Sequence, residues 1–402
     1  MKILQLYNKR DTVWGGEDYV VENTIQILEQ KNEQVISWIL SNSDLMSRFD
    51  GKLRAFTYGI YSPPMQHAMA EVIKREQPDI VHVHNLYPFF SPSVLIACRR
   101  ARVPVVLHYH SHFLTCPTSW HFRDGEICER CTGGREYWCI LKNCRGNIVE
   151  SIGYALRSAV ARKFRLFADN VTLFITTADF TKQRLVEAGF SKDRVVVVPC
   201  AITLATSTTN PSIGKHVVYA GRLSSEKGVE TLIAAARLLP QLQFLIAGDG
   251  PIRKELEGIA PENVTFVGWL NKTQLSDFYS KARLAVVPSR WLEPFGLVVT
   301  DAMSNGLPVV AARIGGPAEI VEEGVTGFFF QPGNSMDLAE KINNLWTIPD
   351  LCQQIGQAGR EKVIQVYTED IYFKRLLAVY NKAIEISNKG MPIFHRDEES
   401  YK

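Results

Sequence analysis

Arg290-Trp291-Leu292-Glu293-Pro294-Phe295-Gly296-Leu297-Val298-Val299-Thr300-Asp301 sits between an apolar run, Leu284 to Val287, and the breaker Asn305-Gly306. The run reads as a buried strand, Pro294 has the fixed φ suited to a first helical turn, and Asn305-Gly306 stops a helix. The unit is therefore strand, turn and short helix. Such a helix start aims unpaired backbone N–H groups, here of Phe295, Gly296 and Leu297, above a sheet, and Gly296 lets an oxygen-rich ligand come close. Glu293 stands beside those donors. Asp301 lies about 12 Å further along at helical rise, so two carboxylates can grip the two ends of an elongated ligand. An ordinary turn with two solvated acids fits the same spacing.

The rest of the second half repeats the unit. His216 to Ala220 is a strand, followed by Gly221-Arg222-Leu223-Ser224-Ser225-Glu226-Lys227-Gly228 and a helix. Arg222 and Lys227 flank one turn, which lets a guanidinium fork and an ammonium close on one phosphate pair. The glycine and lysine order is not that of a Walker loop. Strands at Phe244 to Ala247, Val264 to Gly268 and Pro308 to Ala312 follow, and three helices end the chain.

The first half is built alike. Ile3 to Tyr7 is a strand running into Trp14-Gly15-Gly16-Glu17 and a helix, without the G-x-G-x-x-G that a dinucleotide fold needs. Gly15 and Gly16 can present backbone donors to a phosphate or sugar; a plain helix entry fits equally. Pro78 to Asn85 and Val105 to His110 are strands whose polar ends point to where such sheets bind ligands. His110, last on an apolar strand, is suited to a ligand hydroxyl or phosphate.

Cys116, Cys128, Cys131, Cys139 and Cys144 crowd one polar stretch. The C-x2-C pair suits one metal, and Cys116 with Cys144 completes a tetrahedral sulfur site, Cys139 being a substitute. A structural zinc is expected; buried thiols or a disulfide would satisfy the same pattern. Between Val149 and Phe167, Ile152, Leu156, Val160, Phe164 and Phe167 fall on one stripe. Lys142, Arg145, Arg157, Arg162, Lys163 and Arg165 surround it. That suits a helix resting on an anionic membrane surface, or a core-facing helix with a solvated basic face.

Composition bounds the rest. The 402 residues allow two or three domains, with 46% apolar and 22% charged residues suiting large cores. Forty-five basic against forty-two acidic residues argue against nucleic acid as the main partner. Met1 to Tyr7 is too short for a signal peptide and no run reaches bilayer length, so the expected compartment is the cytoplasm, with peripheral membrane contact through 149–167.

Taken together, Tyr219-Ala220-Gly221-Arg222-Leu223, Lys227-Gly228, Ala247-Gly248-Asp249-Gly250-Pro251, Phe266-Val267-Gly268 and Pro288 to Leu297 resemble the retaining glycosyltransferases of family 4. Gly15-Gly16-Glu17, Pro78 to Asn85, Pro104 to His110 and Gly189 to Pro199 extend the resemblance over nearly the whole chain, and the cysteine spacing resembles a subset of that family. The resemblance implies a GT-B fold of class α/β, two Rossmann-like doubly wound domains. Residues 1–199 would be the acceptor-binding domain with a Cys-rich insertion at 112–148, 200–215 a linker and 216–366 the nucleotide-sugar domain. A helix at 367–390 would pack back on the first domain, and 391–402 would be a polar tail.

The family pattern places Arg222 and Lys227 on the donor diphosphate (UDP or GDP type) and Glu293 on sugar hydroxyls. Phe295, Gly296 and Leu297 would contact diphosphate or sugar through amides, Asp301 the ribose, and Trp269 the base. His110 would stand at the donor sugar and Gly16, with Gly15, at the donor phosphate or acceptor. The implied reaction is hexose transfer to a saccharide or lipid-linked saccharide with no catalytic cofactor. Three departures stand out: Asp301 replaces a glutamate, Pro199-Cys200-Ala201-Ile202-Thr203 replaces the usual Asn-Gly-Ile-Asp after proline, and Ser111 replaces an aspartate. A nucleotide-sugar epimerase, a phosphorylase or a non-catalytic nucleotide-sugar binder on the same fold are the rival readings.

Overall fold

The strands follow the apolar runs. In the first sheet β1 (Lys2–Lys9), β2 (Gln34–Ser41), β3 (Ile80–Asn85) and β4 (Val105–Tyr109) precede a two-residue hairpin of β5 (Phe122–Arg123) and β6 (Glu126–Ile127). β7 (Leu173–Thr176) and β8 (Val195–Val197) complete it in the parallel order β2-β1-β3-β4-β7-β8. β3 and β4 are buried along their whole length, as parallel strands covered on both faces must be. His82, His84, Asn85 and His108 are the polar exceptions inside them.

β9 (His216–Ala220), β10 (Gln243–Ala247), β11 (Val264–Gly268), β12 (Ala282–Val287), β13 (Val309–Ala312) and β14 (Gly327–Phe330) form a second parallel sheet, ordered β11-β10-β9-β12-β13-β14. Both sheets are doubly wound. Strand order reverses between β1 and β3 in one and between β9 and β12 in the other, and loops at those strand ends frame the ligand crevices of this architecture.

The computed structural model describes residues 1–9, 15–43, 47, 50–205 and 208–390, without the side chains of Lys52 and Lys272. The expected polar tail, 391–402, lies outside the described residues. Two units separate: Met1–His121 with Glu129–Pro199 and Tyr372–Lys402, and Phe122–Cys128 with Cys200–Ile371. In the first, the helix Glu369–Asn388 is tied down by Tyr380, bonded to His82 Nδ1 at 2.7 Å, and by Tyr372, bonded to Thr24 at 2.8 Å.

Three expectations are corrected. The insertion 112–148 does not lie wholly with the first sheet: Phe122–Cys128 groups with the second unit, where Arg290 Nη2 donates to the Gly125 carbonyl at 2.8 Å. Pro294 is not in a helix, because the helix Leu297–Ser304 starts after Gly296, whose φ of +112° no other residue adopts readily. The helix Ile148–Lys163 does not carry one continuous stripe. Phe167 is buried and Val160 packs on the core, while Ile148, Val149, Ile152, Leu156 and Phe164 are exposed.

Candidate active site

The second unit's site begins with two loops leaving adjacent strands. After β9, Tyr219 donates its hydroxyl to the Arg222 carbonyl at 2.9 Å and so pins the turn. Burial first, then the nearby charges of Glu293, Glu226 and Glu230, holds the Tyr219 phenol well above its ordinary range, so it stays a donor. The turn exposes Arg222, whose guanidinium has no partner among the described residues.

Lys227 bends the other way. Its Nζ meets Glu293 Oε1 at 2.6 Å and lies 5.4 Å from the centre of the Trp291 ring. Glu293 Oε2 accepts from the Ser289 hydroxyl at 2.7 Å. The Glu293 loop is fixed from behind, because Gly316 N–H donates to the Glu293 carbonyl at 2.7 Å. A Cβ on Gly316 would sit 2.1 Å from the Phe295 carbonyl oxygen, so only glycine allows the two loops this close. A carboxylate has about four acceptor positions, so Glu293 keeps capacity for sugar hydroxyls while held by Lys227 and Ser289.

The other residues of this unit expected on the donor side lie on neighbouring segments. Gly296 caps the helix Leu297–Ser304, whose first N–H groups lack helical partners, and Phe295 is buried edge-on to Tyr367 with ring centres 5.7 Å apart. Asp301 lies on that helix near Tyr279, whose phenol is held well above its ordinary range by burial and then by the Asp301 charge. Trp269 follows β11 and is 61% exposed, an open flat surface on which a base can stack.

In the first unit Asp18 organises the loop after β1. Its carboxylate accepts from the Tyr7 hydroxyl at 2.8 Å and from the Gly15 N–H at 2.9 Å. The Gly15 amide is thus already engaged, and of the two expected glycine donors Gly16, exposed at the first helical position, is the one left open. His110 follows β4 and stacks on His108, ring centres 4.0 Å apart. Its Nε2 lies 2.8 Å from His84 Nδ1.

Two family models match in tandem: Glycosyltransferase Family 4 over residues 47–206 and Glycosyl transferases group 1 over 206–362. The fold is GT-B, and both halves match glycosyltransferase models. This GT-B chain is 27% identical over 358 residues to the sulfoquinovosyl transferase of Arabidopsis thaliana, covering 85% of the chain but 66% of that relative. The sucrose-phosphate synthase of Thermosynechococcus elongatus shares its fold with TM-score 0.70 at 20% identity, over 96% of this chain and 100% of that one. So does the Anabaena protein HepE in complex with UDP, with TM-score 0.65 at 20% identity, over 95% and 100%.

Of the five cysteines between 116 and 144, Cys116 and Cys139 are buried and Cys128, Cys131 and Cys144 are half-buried. None is in a disulfide. Among the described residues no three of the sulfurs of Cys116, Cys128, Cys131, Cys139 and Cys144 lie within 4.8 Å of one another. Cys139, expected as the substitute, is instead fully buried and hydrogen-bonded with Cys144. Burial first and then Cys144 push its thiol up to about 12.

Ser289, Tyr219 and Gly316 escaped the sequence reading. Their signals were present: a serine closing an apolar strand, an aromatic two residues before a glycine turn, and Gly315-Gly316-Pro317 opening a loop.

Proposed function

We propose that this chain moves a hexose, with retention of anomeric configuration, from a nucleoside-diphosphate sugar to a saccharide or lipid-linked saccharide. The observation that carries the reading is the Lys227–Glu293 pair at the strand-order reversal, with Arg222 exposed on the neighbouring turn. Breaking the anomeric C–O bond builds positive charge on the sugar and negative charge on the departing diphosphate. Lys227, Arg222 and the amide end of Leu297–Ser304 stabilise that leaving group. Glu293 accepts hydroxyl protons of the sugar in hydrogen bonds. In same-face attack the acceptor oxygen bonds the anomeric carbon as the phosphate oxygen leaves, and that oxygen takes the acceptor's proton. HepE, a neighbour in fold, is seen with UDP, which supports a uridine donor.

A lipid-linked acceptor would be met at an anionic membrane surface. Ile148, Val149, Ile152, Leu156 and Phe164 are exposed on and just after the helix Ile148–Lys163, beside exposed Tyr137 and Leu141. Lys142 and Lys163 are exposed next to them. Arg157 is not part of this face. It is buried between Tyr87 and Tyr154, 4.3 and 3.8 Å from their ring centres. No helix of the described residues is long and apolar enough to cross a membrane, so contact of this kind is along the surface.

The test is product analysis with UDP- and GDP-hexoses, with and without saccharide or lipid-linked acceptors. An α-linked donor giving an α-linked product is expected. An inverted product, an epimerised donor without acceptor, or turnover only with inorganic phosphate would each defeat the reading.

A further inference from the structure

Four histidines lie together at the ends of β3 and β4. His82, His84 and His108 are buried, and each can offer a ring nitrogen within 4.8 Å of the others. A metal is the first chemistry this suggests, and the ring geometry opposes it. Ligand lone pairs lie in the ring planes and must converge on one point, yet His82 and His108 are within 9° of parallel with centres 5.8 Å apart. Both nitrogens of His84 are also engaged already, Nδ1 with His110 Nε2 and Nε2 with Gln5 Oε1, each at 2.8 Å.

Those two bonds have a direction. The Gln5 oxygen only accepts, so His84 carries its proton on Nε2 and leaves a lone pair on Nδ1. That lone pair requires a proton on His110 Nε2. His110 Nδ1 is then the unprotonated nitrogen, an acceptor for whatever lies above β4. Gln5 belongs to β1, whose end lies on the other side of the strand-order reversal, and is fully buried between the equally buried Leu4 and Leu6.

We propose that Gln5 and His84 are positioning residues that fix His110 as the Nε2–H tautomer, so that His110 Nδ1 accepts a hydrogen bond from a hydroxyl of the donor hexose. The identity of the hexose-binding histidine rests on the function proposed above; the tautomer does not. Neutral rings are needed for the relay to hold. Burial drives His110 to about 3 and, with its histidine neighbours, His84 well below the ordinary range, so neither protonates near neutrality. The Tyr380 hydroxyl, at 2.7 Å from His82 Nδ1, closes the far end of the stack, and no carboxylate is among the groups that shift these rings.

The test is long-range proton–nitrogen correlation on 15N-histidine-labelled full-length protein, with His84 and His110 assigned by substitution. A protonated Nε2 and a lone-pair Nδ1 on both rings are expected. Gln5→Leu and His84→Leu should leave His110 as a mixture of tautomers. His84→Gln, whose amide oxygen can still accept from His110 Nε2–H, should restore the single tautomer. In turnover, Gln5→Leu should lower kcat about tenfold, with UDP affinity unchanged and His84→Gln more active than His84→Leu. A protonated Nδ1 on His110 in the wild type, or a tautomer indifferent to Gln5→Leu, would overturn the relay. Stoichiometric zinc or cobalt lost on His108→Leu would overturn it in favour of a metal site. Absence of any UDP or GDP binding would defeat the proposed function instead, while the tautomer would still be read.

Discussion

Lys227 Nζ lies 2.6 Å from Glu293 Oε1, joining residues 66 positions apart at the ends of the neighbouring strands β9 and β12. The family resemblance gives these two side chains different parts of the donor, diphosphate and sugar. Their contact means that, before donor arrives, each holds the other's charge. On the proposed function, diphosphate would draw Lys227 away from Glu293 and release carboxylate lone pairs as the sugar is seated.

Glu293→Gln removes the charge and keeps the shape. UDP affinity should hold or rise, because Lys227 no longer has a competing anion, while kcat with UDP-hexose falls about a hundredfold. Calorimetry and initial rates measure the two separately, and parallel loss of both would contradict the division of roles.

Gly316→Ala should disturb the Glu293 loop without touching ligand. The added Cβ would meet the Phe295 carbonyl, so the loops must part, at about 1–3 kcal/mol of stability. Urea midpoints and KM for donor should both move; an unchanged KM would mean that the loop contact does not set the site.

The histidine stack makes stability depend on pH. His82 is held at about 3 by burial and then by His110, against an unfolded value of 6.5. His84 and His108 are lowered in the same way. The unfolded chain therefore binds more protons, so stability is full above pH 6.5 and falls as pH drops from there toward 3. The loss is about 1.4 kcal/mol per pH unit for each histidine that stays neutral. Urea unfolding between pH 7.5 and 5.5 reads the slope, and His108→Leu should reduce it by about one proton. A flat profile would show that these rings protonate normally.

Ile152→Glu with Leu156→Glu should abolish flotation on vesicles of anionic lipid and leave transfer to a water-soluble acceptor intact, since both side chains point outward. Equal binding by the double variant would remove this helix from the membrane reading.

The sheets were legible because parallel strands are largely apolar, and the positions of His110, Arg222, Lys227 and Glu293 after strand ends were legible with them. What joins them was not. The Lys227–Glu293 pair depends on β9 and β12 being neighbours, which chain order does not state. Pro294 looked like a helix start because its φ fits one, but the left-handed Gly296 intervenes. Arg157 looked like a solvated cation by helical spacing. Two tyrosine faces, one from a distant segment, bury it.

Calorimetric titration of UDP and GDP into wild-type and Lys227→Ala protein tests the diphosphate clamp most directly. One nucleotide per chain is expected, with affinity reduced about tenfold or more in the variant and its salt dependence diminished. Equal affinity of the two proteins, or no binding of either nucleotide to the wild type, would contradict the clamp.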